Sequence, residues 1–167
     1  MTVDDIVRLL ALEPHPTEGG YFVETHRSDE SVAAAALPGR YGGDRDHGTA
    51  IYYLLTPDTF SALHRLASDE VFHFYLGDPV EQLHLFADGG GRTVVLGTDL
   101  AAGQRPQQVV PRGVWQGARL AEGGRFALMG CTVAPGFDFR DYEHGERAAL
   151  TGAYPAFAAE IAKLTTA

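Results

Sequence analysis

Cysteine is almost missing from this chain: Cys131 is the only one in 167 residues. An intrachain disulfide is therefore impossible, and thiolate metal clusters are excluded. Long apolar runs are missing as well. None approaches the roughly 18–20 residues that a membrane-spanning helix needs, so no membrane partner is expected. Positive charge is scarce and scattered, with 13 Lys and Arg against 22 Asp and Glu and a formal net charge of −9. A nucleic-acid partner requires a basic stripe to neutralise phosphates, and none is expected here. The opening Met1-Thr2-Val3-Asp4-Asp5 is acidic where a secretory signal would be basic, and no long apolar core follows. Cytoplasmic residence is the expectation.

What is present suits a single globular domain: 45% hydrophobic and 21% charged residues in a length that can bury a proper core. Thr2 with Asp5 three residues on reads as a variant capping box, and Val3, Ile6, Leu9 and Leu10 recur at helical spacing. A short helix is predicted over 3–11, stopped by Pro14-His15-Pro16. At the other end Pro155 suits a first helical position, and Phe157, Ile161 and Leu164 share one helical face. The middle alternates short apolar runs with turn residues. Strands are predicted at 20–26, 49–55, 59–66, 70–76, 80–86, 92–96, 107–110, 114–120 and 125–134, all rich in Tyr, Phe, Val or Ile. Asp88-Gly89-Gly90-Gly91 and Gly77-Asp78-Pro79 punctuate them. Many short strands at close spacing give an all-β sandwich or barrel with minor terminal helices. The stretch 29–48 is expected to be an exposed excursion.

Two motifs sharpen this. His64-Arg65-Leu66-Ala67-Ser68-Asp69-Glu70, followed after six intervening residues by Gly77, resembles the first cupin motif, with Leu66 where a second His would stand. Pro111-Arg112-Gly113-Val114-Trp115-Gln116 resembles the second, with Gln116 in place of its His. Together with Pro14-His15-Pro16-Thr17-Glu18-Gly19-Gly20-Tyr21-Phe22 and Gly130-Cys131-Thr132-Val133-Ala134-Pro135-Gly136-Phe137, they make the chain similar to the cupin family once named DUF985 over roughly residues 5–155. That resemblance implies a double-stranded β-helix (jelly-roll) barrel over about 20–135, a closing segment and helix over about 136–165, and a homodimer. It leaves the activity open. The segment Gly19–Glu24 is also loosely similar to one in cupin nucleotide-sugar 3,5-epimerases.

Alternation along strands places i, i+2 and i+4 on one face. If Glu70 points inward, Phe72, Phe74 and Leu76 follow it, and Ala62, His64 and Leu66 share a face. The expected interior offers one imidazole, one carboxylate and one carboxamide (His64, Glu70 and Gln116) in an apolar lining, as small-molecule sites do. The resemblance implies three His and one Glu for the usual cupin metal. Leu66 cannot coordinate, and a Gln carbonyl is a poor donor for iron, nickel or zinc. No cofactor is expected; His64, Glu70 and Gln116 completed by water are the set that would hold a divalent ion, weakly.

Without a metal, His64 and Glu70 form an acid–base pair whose proton affinities burial and proximity move in opposite directions. Read as strand residues alone, they are a core histidine and the carboxylate that satisfies it; their motif positions turn them toward a ligand. Gln116 would orient a substrate, and Glu24, Tyr21, Phe72 and Phe74 complete the candidate binding residues. The expected partner is a small molecule, and the expected activity is epimerisation or anomer interconversion of a sugar or related polyol. A non-catalytic ligand-binding cupin is the alternative, and a weakly metal-dependent enzyme the second. Arg65 alternates away from His64 toward an acidic neighbour, and Trp115 belongs to the barrel or a dimer seam. His73 and His84 lie on strands without ligand spacing. His15, His26, His47 and His144 are assigned to the surface or to loops, and Phe137, Phe139 and Tyr142 to a segment closing one mouth.

Overall fold

Thr2 starts the first helix as its sequence predicts: its hydroxyl accepts the Asp5 N–H at 3.2 Å, and the Asp5 carboxylate accepts the Thr2 N–H at 3.0 Å. This reciprocal cap opens α1 (Val3–Leu10), which ends where Ala11 turns left-handed. The computed structural model describes residues 1–166. After α1 come β1 (Glu13–Pro14), β2 (Tyr21–Arg27), β3 (Ser31–Val32), β4 (Arg45–Asp46), β5 (Thr49–Leu55), β6 (Phe60–Leu66) and β7 (Glu70–Gly77). They are followed by β8 (Val80–Leu85), β9 (Gly91–Leu96), β10 (Gln107–Val110), β11 (Trp115–Leu120), β12 (Ala127–Val133), β13 (Tyr142–His144), α2 (Arg147–Ala153) and α3 (Ala158–Lys163).

The nine strands expected from the sequence all form, within two residues at each end. The four others are two or three residues long, too short to show a period, and α2 carries no capping side chain that would have announced it. One antiparallel sheet has the order β1-β2-β5-β12-β7-β10 and a second the order β13-β6-β11-β8-β9, the two-layer jelly roll that the motifs imply. Among the described residues no helix is long and apolar enough to cross a membrane.

Period-two burial explains the layering. Tyr53 and Leu55 of β5, Phe72 and Phe74 of β7, and Met129 and Cys131 of β12 point between the sheets, where they meet Val80, Leu96, Ala118 and Leu120. The alternate residues Tyr52, Leu54 and Leu128 pack under α1 with Ile6 and Leu12. On the opposite outer face Leu63, Leu83 and Leu85 are covered by Leu150, Tyr154, Ile161 and Leu164 of the C-terminal helices. Trp115 packs in this outer layer, beneath Arg65, rather than inside the barrel.

Two expectations need correction. Leu76 does not follow Phe72 and Phe74 inward: the β7–β12 register shifts between Leu128 and Met129, pairing Leu76 with outward-facing Leu128 and leaving it exposed. The stretch 29–48 is not a simple excursion either. Its tip tucks Tyr41 and Arg45 into the protein, and the Arg45 guanidinium forms a two-point bond to Asp141 at 2.8 and 2.6 Å. A charge can be buried there because its partner comes from the closing segment, nearly a hundred residues away in sequence.

Candidate functional site

One end of the interior remains open as a cavity of about 380 Å³. Its apolar walls are Phe22, Ile51, Leu66, Cys131 and Val133, with Phe137 and Phe139 across the mouth. Its polar groups come from five places in the chain: His15 and Glu18, Glu24 and Arg27, Thr49, His64 and Glu70, and Asp138.

The loop before β2 delivers the first pair. Gly19 and Gly20 both have positive φ, and a Cβ on Gly19 would lie 2.4 Å from the Phe60 carbonyl oxygen. Only glycine lets the loop press against β6 here. With that approach made, the Ala62 N–H donates to the Glu18 carbonyl at 2.8 Å and the Ser61 hydroxyl donates to the Glu18 side chain. The Glu18 carboxyl then stands 3.8 Å from His64 Nε2 and 4.0 Å from His15 Nε2. His15 is a correction: it does lie in a loop, but its side chain is 6% exposed and lines the cavity. Neither His15 nor Glu18 has a strand period to mark it. The Gly-Gly that follows them was the available signal.

Hydrogen bonds fix both imidazole tautomers. His64 Nδ1 lies 2.7 Å from the Ala62 carbonyl, which can only accept, so Nδ1 carries a proton and Nε2 is the ring nitrogen turned toward Glu18 and the cavity. His15 is the reverse: its Nδ1 accepts the Glu18 and Thr17 N–H groups at 2.9 and 3.4 Å, leaving Nε2–H directed at the site. Burial lowers the His15 pKa, the nearby His64 lowers it further, and Glu18 opposes both. Tyr142 stacks on the His64 ring at 5.1 Å between centroids.

Glu70, the first residue of β7, is buried. Burial first, then the charge on Glu18, pushes its pKa up to about 7, against opposing contributions from His64 and Gln116. The Gln116 side-chain amide donates to it at 2.6 Å. The two motifs are also tied through the backbone: the Arg112 N–H donates to Asp69 at 2.8 Å and the Gly113 N–H to the Leu66 carbonyl at 2.9 Å.

The remaining predicted residues divide. Glu24 lines the cavity, but Tyr21 faces the other way, into the layer under α1, and Phe22 takes the inner position. Phe72 and Phe74 lie in the apolar core below the cavity, and Gln116 stands behind Glu70 without reaching the cavity surface. Arg27 was missed because a register shift between Glu24 and His26 brings it inward three residues after Glu24. It grips Glu24 at 3.1 and 2.7 Å and Asp46 at 2.7 Å, and donates to the Phe137 carbonyl at 3.3 Å. Arg65 pairs with Glu143 at 2.7 and 2.8 Å, as its outward phase requires.

The donor set fits a transition metal poorly. Leu66 occupies the wall beside His64, and Gln116 points its nitrogen at Glu70 and its oxygen at Gln82. Among the described residues no three His, Cys, Asp or Glu side chains are grouped to hold an ion.

Known proteins place this arrangement. Residues 4–145 match the family described as "Cupin superfamily (DUF985)". The uncharacterized protein YML079W of Saccharomyces cerevisiae is 32% identical over 133 residues, covering 75% of this chain and 66% of that one, so just under two thirds of the yeast protein is spanned. Protein SO0799 of Shewanella oneidensis superimposes with a TM-score of 0.88 at 36% identity, covering 99% of this chain and 98% of that one. A hypothetical protein from Leishmania major gives 0.89 at 33% identity over the full length of both. Oxalate decarboxylase of Bacillus subtilis shares the fold alone, with a TM-score of 0.54 at 15% identity over 92% of this chain and 37% of its own. The chain belongs to the cupin superfamily, in the family DUF985.

Proposed function

We propose that the cavity binds an uncharged sugar or related polyol and interconverts its anomers or epimers by acid–base chemistry at His64 and Glu70. The observation that carries this reading is the anchoring of His64: its Nδ1–H is committed to the Ala62 carbonyl, so Nε2 is the nitrogen left to exchange a proton in a cavity that Glu70 also lines. A carboxyl group with a pKa near 7 exists in both protonation states at neutral pH, which suits it to give a proton and take it back.

For anomer interconversion, His64 Nε2 takes the proton of the anomeric hydroxyl while protonated Glu70 gives one to the ring oxygen. The ring C–O bond breaks, the anomeric oxygen becomes a carbonyl, and closure on the other face returns both protons. Glu18 is placed to balance the imidazolium formed during the step. The preference for an uncharged ligand follows from the walls. Glu18 and Glu70 occupy the inner end, and the one arginine of the lining is held by Glu24 and Asp46. Phe22, Phe137 and Phe139 supply faces of the kind on which sugar C–H groups pack.

Anomer exchange in neutral aldoses, followed by NMR line shape, and deuterium uptake at carbon in D2O test the two variants of the reaction. Accelerated exchange that disappears in both His64→Ala and Glu70→Gln supports the reading. Saturable sugar binding with no exchange of either kind would replace it with ligand capture.

A further inference from the structure

Behind the cavity a chain of side chains crosses the barrel with one direction throughout. Glu70 on β7 accepts from the Gln116 amide nitrogen at 2.6 Å, and the Gln116 oxygen accepts from the Gln82 nitrogen at 3.4 Å. The Gln82 oxygen in turn lies 3.0 Å from His84 Nε2, which must donate. Gln116 is the register partner of both His64 and His84, so the chain runs along the floor of the site. All four members are buried: Glu70 is 8%, Gln116 2%, Gln82 1% and His84 0% exposed. The chain ends on an anomaly, since His84 Nδ1 is buried and finds no partner among the described residues.

That orphan distinguishes His84 from the other interior histidines. His64 is locked with its Nδ1 protonated by a carbonyl, and His15 with its Nδ1 unprotonated by two N–H groups. Nothing holds His84 in one tautomer except Gln82. Two arrangements of the chain are therefore internally consistent. In the observed one Glu70 is an acceptor, both glutamines present nitrogen toward it, and His84 carries its proton on Nε2. In the other Glu70 is protonated and donates to the Gln116 oxygen, both amides are turned over, and His84 accepts at Nε2 with its proton on Nδ1. An intermediate mixture would put two donors or two acceptors against each other in a dry interior, at high cost.

We propose that Gln82 and His84 are positioning residues for Glu70: together they set which end of the Gln116 amide meets the carboxyl, and the chain reverses as a unit when Glu70 takes up a proton. The proposal rests on Glu70 serving as the proton-exchanging group of the site, and it gives that group a buried element that senses its state. Glu70 is faced by Glu18 from the loop before β2, His64 from β6, Gln116 from β11 and Cys131 from β12. His84 feels Arg92 from β9 in addition to its burial, and both keep the ring neutral. The switch is thus between two neutral tautomers.

Long-range 1H–15N NMR of uniformly labelled protein without added sugar reads the His84 tautomer directly, and carboxyl 13C shifts read Glu70. The expected result is His84 with its proton on Nε2 at pH 9, moving to Nδ1 toward pH 5.5 with the same midpoint as Glu70. Gln82→Met, which interrupts the chain, should uncouple His84 from Glu70 and raise the Glu70 midpoint, because a freed Gln116 can turn its oxygen to the acid. Glu70→Ala should leave the His84 tautomer independent of pH in that range, which keeps the test alive if Gln82→Met fails to fold. A His84 ring that holds one tautomer, or becomes an imidazolium, while Glu70 titrates would overturn the proposal. No substrate enters the experiment, so failure of the sugar assays leaves its outcome untouched.

Discussion

Glu18 Oε2 and His64 Nε2 face each other at 3.8 Å, and each is anchored from behind, Glu18 by the Ser61 hydroxyl and His64 by the Ala62 carbonyl. The carboxyl is close enough to shape the electrostatics of the inner cavity and too far to form a tight hydrogen bond, which leaves His64 Nε2 accessible to a ligand. Glu18 is also the second cause, after burial, of the raised Glu70 pKa. Glu18→Gln removes a negative charge at nearly constant shape. The Glu70 midpoint, read from carboxyl 13C shifts, should fall from about 7 toward its ordinary value without reaching it, because burial remains. An unchanged midpoint would mean that the two carboxyls do not sense each other.

Glu70 and His84 make opposite contributions to stability against pH. Between its ordinary value of 4.5 and about 7, folded Glu70 binds more protons than the unfolded chain, so its contribution is present at low pH and lost as pH rises through 7. His84, lowered by burial from 6.5 to about 4, behaves in reverse: its contribution is present above 6.5 and lost as pH falls toward 4. In the native protein the two slopes largely cancel between 4.5 and 6.5. Glu70→Gln should therefore steepen the acid-side loss of stability, while His84→Gln should make stability fall as pH rises to 7, each by roughly 3 kcal/mol across the window. Urea midpoints at pH 4.5 and 7.5 measure both, and parallel profiles for the two variants would contradict the assignment.

The sequence made the strands legible because each long strand carries a run of apolar or β-branched residues, and the period of two put His64, Leu66 and Glu70 on inner faces where the structure has them. It could not show phase within β2. Whether Tyr21 or Phe22 faces inward turns on a single residue, and only burial of Tyr21 under α1 decides it. The shift near Thr25 that brings Arg27 to the cavity is likewise a tertiary feature, as is the fold-back of His15 and Glu18. His84 had the phase of an inner residue, sharing a face with Val80 and Gln82, but its strand offered no ligand spacing. Its meaning appears only when Gln116 and Glu70 are brought beside it from other strands.

The Arg45–Asp141 pair joins the 29–48 stretch to the closing segment just beneath the surface, with both side chains at most 5% exposed. Asp141 is the main cause of the raised Arg45 pKa, so the cation is firmly held. Arg45→Met should destabilise the fold by roughly 3 kcal/mol, because it leaves Asp141 buried without a counter-charge. Asp141→Leu added to Arg45→Met should recover much of that loss, since two apolar side chains need no pairing. Chemical denaturation of the single and double variants tests this, and a double variant no better than the single one would assign the loss to packing rather than to charge.

Arg27 holds the cavity mouth more than it holds the fold. Its guanidinium connects Glu24 on β2, Asp46 on β4 and the Phe137 carbonyl of the closing segment, yet its side chain is 42% exposed. Exposed ion pairs contribute little to stability, so Arg27→Ala should cost no more than about 1 kcal/mol. The local effect should be larger. Phe137 and Phe139 are packed edge to face at 5.1 Å and form one wall of the cavity, and without Arg27 the segment keeps two backbone bonds in this region, from the Phe137 N–H to Thr49 Oγ1 at 2.9 Å and from the Gly136 N–H to the Asp46 carbonyl at 2.7 Å. Amide exchange at Phe137 and Phe139 should accelerate several-fold in Arg27→Ala while that of β5 and β12 stays unchanged. Arg27→Lys keeps the charge but loses the fork that reaches three partners, so it should resemble the alanine variant in exchange. If Arg27→Lys instead behaves like the native protein, charge alone holds the segment, and the geometry of the guanidinium is incidental.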